Sequence, residues 1–168
     1  IRDGDYEEAA EELESAVDSY MQSFAFTTDH VYIAKVMAIF GAALHKSKQR
    51  KAARQAWTRA AEFRPKHTED LSRFGPRVVK AYEKARSAVL IRDNVTFEVE
   101  TKPAHAEVWC NGRYFGLSPT FVRVFKGTQF IAVRKHGSAR ASAIKTIKRD
   151  DTRVFIEMPE ARKGQAYD

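Results

Sequence analysis

Apolar positions recur three or four residues apart through the first part of the chain and alternate singly through the rest; the period changes near Asp93-Asn94. After Gly4-Asp5, Ala9, Leu13, Ala16 and Tyr20 define one helix face, with Glu7 and Glu8 in the first turn, where the helix dipole favours acids. A second helix is predicted from about Asp29 to Lys46, and a third from about Lys48 to Phe63, stopped by Pro65. A fourth starts at Pro76, a residue suited to a first helical turn, and reaches about Leu90. Beyond Asp93-Asn94 the signal is strand and turn. Asn111-Gly112 between alternating apolar runs predicts a tight hairpin, because both central residues of a type I′ turn need positive φ. Gly116 with Ser118-Pro119 marks a second turn and Lys126-Gly127 a third. Asp150-Asp151 is read as a hairpin turn between strands at Ala141–Arg149 and Thr152–Met158. The expected fold class is α+β, with a helical domain over 1–92, a β domain over 93–160 and a tail over 161–168.

Two stretches resemble known families. Pro103, Ala106, Val108, Asn111-Gly112, Gly116, Pro119, Gly127, Val133 and Gly137 are spaced as in a PEGA domain, although Ala104-His105 replaces the Glu-Gly of its signature. The resemblance spans residues 95–158 and implies a small antiparallel β-sandwich of bacterial envelope, surface and signalling proteins, without catalytic residues. Gly41, Ala53, Trp57, Ala60 and Pro65 reproduce the spacing of a tetratricopeptide repeat, whose antiparallel helical hairpins stack. Gly41 and Ala53 are small where paired helices approach, and Trp57 fills the gap one turn on. Ala9, Leu13 and Ala16 repeat part of this spacing, but from Ala9 to Ala53 is ten residues more than a standard repeat, so Asp18–Asp29 is expected to lengthen a helix or loop. The helix from Tyr6 to Tyr20 matches a repeat's second helix. It therefore predicts either a longer protein or a partner over that face.

The net charge of +7 divides into −8 over residues 1–30, +10 over 31–93 and +5 over 94–168. The basic cluster Lys46, Lys48, Arg50, Lys51 and Arg54 falls between the second and third helices. It reads either as a solvated turn or as a site for nucleic-acid phosphate or an anionic envelope polymer. No aromatics are interleaved with it, which counts against single-strand stacking. The apolar stretch Val31–Leu44 contains Lys35 and Gly41 and reads as a packed helix rather than a membrane span.

Catalytic chemistry has no visible carrier. Phosphate-cradling loops, zinc-protease and nucleophile-elbow motifs are missing, and His30, His45, His67, His105 and His136 include no pair at helical ligand spacing. Cys110, the single cysteine, matches the inward position before the PEGA hairpin turn and is expected to be a buried, inert thiol. No cofactor or metal site is expected. The same register sends Ala106, Val108, Val122 and Val124 inward and Trp109, Phe121 and Phe125 outward, with Arg123 among them. That aromatic face either packs within the protein or binds a partner.

The expected function is a non-enzymatic protein-interaction scaffold. Partners would bind along a helical groove, including Tyr32, Lys35, Met37 and Ile39 with some of these in the core, and at the aromatic β face. The PEGA resemblance implies an envelope-associated or periplasmic assembly for motility, secretion or a surface layer; the cytoplasm stays open.

Overall fold

The computed structural model describes residues 3–23 and 30–161. The chain is α+β: among the described residues four α-helices precede two small sheets. It divides between Arg92 and Asp93 into two compact units.

In the first unit, α1 (Asp3–Gln22), α2 (His30–Lys46), α3 (Arg50–Phe63) and α4 (Pro76–Leu90) pack in succession, and α2 also meets α4. Helix α2 is apolar nearly all round and buries Ile33, Met37, Ala38, Ala42 and Leu44, as the central member must. Its end is turned by Lys48 in the left-handed region (φ 66°), and the Gln49 N–H donates to the Leu44 carbonyl at 2.8 Å. This turn moves the start of α3 to Arg50 from the expected Lys48. A Cβ on Gly41 would lie 2.3 Å from Nε1 of Trp57, so only glycine lets the indole seat there. That Nε1–H donates to the Ala38 carbonyl at 3.0 Å, and Trp57 packs against His45 and edge-on to Tyr82. Helix α4 spans the expected Pro76–Leu90. Its Arg86 donates to the carbonyls of Pro65 and His67, and the Glu69 N–H donates to the Tyr82 hydroxyl, pinning the α3–α4 connection.

Helix α1 departs from expectation in phase. Ala10 and Val17 are its buried residues, Leu13 and Tyr20 are half-buried, and Ala16 is exposed. The buried stripe runs Tyr6, Ala10, Leu13, Val17, Tyr20; with alanines at 9, 10 and 16 the pattern alone fitted two adjacent phases. The helix is long, reaching Gln22, but the end of the Asp18–Asp29 stretch lies outside the described residues, as does nearly all of the 161–168 tail.

The second unit holds β1 (Asn94–Lys102), β2 (Glu107–Cys110), β3 (Arg113–Leu117), β4 (Thr120–Phe125), β5 (Gly127–Arg134), β6 (Ala141–Ile147) and β7 (Thr152–Glu157). One sheet has the order β4-β1-β7, the other β3-β2-β5-β6. Inward side chains of both sheets form one core, including Phe97, Val108, Cys110, Val122, Ile131 and Val154. The β2–β3 hairpin turns at Asn111-Gly112 with φ of 46° and 75°, as the type I′ reading requires.

The strand connections differ from expectation in two places. The unit is not wholly antiparallel, because β1 and β7 pair in parallel, Phe97↔Thr152 through Lys102↔Glu157. Asp150-Asp151 is also not a hairpin turn. It carries the chain from β6 in one sheet to β7 in the other, and is held by β1: the Thr96 N–H donates to the Asp150 carboxylate, and the Asp151 N–H donates to the Thr96 carbonyl. Alternation reports which face a residue takes, not which strand lies beside it.

Candidate functional site

The outer face of the three-stranded sheet carries exposed aromatic and charged side chains. Alternation on β4 puts Val122 and Val124 in the core and leaves Phe121 and Arg123 exposed, with Phe125 half-buried. On β1 the outward residues are Thr96, Glu98 and Glu100; on β7 they are Arg153, Phe155 and Glu157. Register sets Phe121 beside Glu98 and Glu98 beside Arg153, with Glu100 beside Phe155. Nε of Arg153 lies 3.1 Å from the Glu98 carboxylate and 3.2 Å from that of Glu100. The result is an ion-paired centre flanked by two phenylalanines, Phe121 at 68% and Phe155 at 57% exposure.

Trp109 does not belong to this face. It stands on β2 of the four-stranded sheet, whose outer side points away from that of the three-stranded one, so the expected single aromatic surface is two. There Trp109 packs on Tyr114 with ring centroids 5.3 Å apart and lies under the guanidinium of Arg134. Phe130, Ala132 and Arg134, on the outward side of β5, are buried. Sequence reasoning missed Glu98, Glu100, Arg153 and Phe155, although the charged-aromatic alternation of Arg153, Phe155 and Glu157 was the available signal.

A buried polar network supports the hairpin beneath. Gln129, 1% exposed, accepts from the Asn111 amide at 2.9 Å and donates to the carbonyls of Phe125 and Gly127. The Asn111 side-chain carbonyl in turn accepts the Phe130 N–H at 2.9 Å. Ser118 bonds the Thr101 hydroxyl and accepts the Ala106 N–H, tying the turn after β3 to the end of β1.

In the helical unit the four expected groove residues separate. Tyr32 and Lys35 are exposed and Ile39 half-buried, and their spacing places them on one face of α2. Met37 is 1% exposed and belongs to the core, as some of the four were expected to. It lies in the floor, with Phe40 and Leu44, of a groove of about 280 Å³ between α1 and α3. Glu11 and Glu14 line one wall of this groove and Arg59 the other.

Of the basic cluster, Lys48, Arg50, Lys51 and Arg54 are exposed around the α2–α3 turn, and Lys46 lies over the Tyr6 ring at 5.5 Å. Burial lowers the His45 pKa, with help from Arg50 and Lys46. Where α4 ends, Arg92 meets the carboxylate of Glu62 on α3 at 2.6 Å. Burial raises the Glu62 pKa and Arg92 opposes that shift.

Cys110 is fully buried, and burial pushes its thiol pKa up to about 12. His105 and His136 are exposed. Among the described residues no group of three or more His, Cys, Asp or Glu is arranged to hold a metal ion, and no helix is long and apolar enough to cross a membrane. No family model, curated protein or solved structure matches the chain.

Proposed function

We propose that the protein is a non-enzymatic interaction scaffold, a tetratricopeptide-like pair of helical hairpins joined to a PEGA-like β-sandwich, serving an envelope-associated assembly. The order of packing α1 on α2, α2 on α3 and α3 on α4, with α2 also against α4, supports a stacked repeat. The observation that carries the binding role is the pair of exposed phenylalanines, Phe121 and Phe155, around the Glu98–Arg153–Glu100 centre. Apolar side chains grouped on an open face, with arginines among them, have the composition of an interface hot spot. The α2 stripe of Tyr32, Lys35 and Ile39 offers a second contact.

The test substitutes Phe121→Ser and Phe155→Ser together and measures folding and partner capture from the native cell. Both side chains are exposed, so each change moves stability by no more than about 0.5 kcal/mol. Loss of capture at unchanged stability is expected. Loss of folding, or capture equal to the parent, refutes the role.

A second reading rests on the exposure of Lys48, Arg50, Lys51 and Arg54 around one turn, which supports binding of nucleic acid or an anionic envelope polymer. It requires affinity that falls steeply with salt, whereas capture through the phenylalanine face is nearly salt-independent.

A further inference from the structure

The positive charge of the second unit is concentrated in its middle stretch. No Asp or Glu occurs between Glu107 and Asp150, while Arg113, Arg123, Lys126, Arg134, Lys135, Arg140, Lys145, Lys148 and Arg149 do. Glu98 and Glu100 lie on β1 and Glu157 on β7, with Glu107 on β2 and Asp150, Asp151 and Glu160 in flanking segments, while residues 140–149 carry four bases and no acid. Arg140 precedes β6, Lys145 lies within it, and Lys148 and Arg149 follow it.

Strand β6 is also the end of its sheet. It pairs with β5 from Gly127↔Ile147 to Val133↔Ala141, and with no other described strand. An end strand presents a row of backbone donors and acceptors on its free side. The other three end strands are shorter or blunted. The β3 pairing is shifted at Val108/Trp109, β4 begins just after Pro119, and β7 runs into Pro159. Ala141–Ile147 contains neither proline nor glycine, and Ser142, Ile144, Lys145 and Thr146 are all exposed.

The geometry points to β6 as a docking edge for an extended acidic segment of a partner protein, which adds as a further strand. Backbone pairing supplies affinity and side chains supply selection. Beside β6 the added strand sets an acid next to Lys145 on one side of the sheet and an apolar residue next to Ile144 on the other. An acid beyond its end meets Lys148 and Arg149, the carboxylate of the adjoining Asp150 being engaged by the Thr96 N–H. A second copy of this chain is a poor occupant. Antiparallel pairing of β6 with itself about Ile144 would bring Arg140 opposite Lys148 of the other copy, and like charges directly opposite are unfavourable. This edge is distinct from the phenylalanine face.

The test uses the full chain and a dye-labelled, end-capped heptapeptide alternating Glu and Val, titrated by fluorescence anisotropy. Comparison ligands are the same peptide N-methylated at its valines, a Lys-Val counterpart, and a thymidine oligonucleotide. N-methylation keeps the charge but removes strand pairing, and weakens binding at least about thirtyfold. Lys145→Glu, an exposed change, weakens it about tenfold. The Lys-Val peptide does not bind, and amide exchange slows in β6 when the acidic peptide is present. Retained binding of the N-methylated peptide overturns strand addition. So does tighter binding of the oligonucleotide, which would assign the basic edge to nucleic acid, or an unchanged affinity in Lys145→Glu.

Discussion

Gly41→Ala puts one methyl group where Trp57 stands. The added Cβ would lie 2.3 Å from Nε1, 2.5 Å from Cδ1 and 2.9 Å from Cε2 of the indole, all inside contact distance. The backbone of two packed helices cannot retreat far, so the indole must move. Its Nε1–H then leaves the Ala38 carbonyl, and its fit against His45 and Tyr82 is lost. Helix propensity favours alanine over glycine by about 1 kcal/mol. Overpacking costs about 1–3 kcal/mol. Stranding a buried indole N–H costs about 1–3 kcal/mol more. The net expectation is a loss of about 1–5 kcal/mol in the helical unit. Urea unfolding followed by helical circular dichroism, which reports the helical unit with or without Trp57, measures it. The clash is specific to the indole, so the same change in a Trp57→Phe background is milder by at least about 1.5 kcal/mol. A cost below about 0.5 kcal/mol, or equal costs in both backgrounds, refutes the argument.

Arg92→Ala strands the buried Glu62 carboxylate and destabilises the helical unit by about 2 kcal/mol near neutral pH, more than Glu62→Gln does. Removing Arg92 raises the Glu62 pKa further above its unfolded value, so the penalty is absent below the unfolded pKa and grows as pH rises through the folded one. Urea midpoints of variant and parent therefore converge toward about pH 4 and separate toward about pH 7; a constant gap counts against this account. Gln129→Leu leaves the Asn111 amide and the Phe125 and Gly127 carbonyls without their buried partner, and costs the β unit about 2–3 kcal/mol in thermal or urea unfolding. Stability within about 0.5 kcal/mol of the parent would show the network to be dispensable.

Local signals were legible where a residue has one physical solution. Pro76 can begin a helix but not interrupt one, and α4 runs Pro76–Leu90 as expected. Asn111-Gly112 can adopt paired positive φ cheaply, and the hairpin turns there. Gly41 and Ala53 were read as small where two helices approach with Trp57 filling the gap one turn on, and the Trp57 indole sits against Gly41 itself. Alternation placed Val108, Cys110, Val122 and Val124 in the core. Strand neighbours were not legible, because pairing Phe97 with Thr152 joins residues far apart in sequence with nothing local to announce it. This is why Trp109 and Phe121 were assigned one face although different sheets carry them, and why Phe155 was missed. Some of the four α2 residues were expected in the core, but which of them was not legible. On a helix as apolar as α2, the exposed stripe is set by its neighbours rather than by its own pattern.

The parallel pairing of β1 with β7 governs when the second unit can be completed. Its opening strand is the middle member of its sheet, and one flank stays bare until the closing strand is available. During synthesis the helices, built from near-neighbour contacts, can assemble as they emerge, whereas Val99 and Thr101 wait for Val154 and Ile156 to leave the ribosome. A nascent chain stalled before Thr152 would expose an apolar flank, and that interval is when it most needs a chaperone.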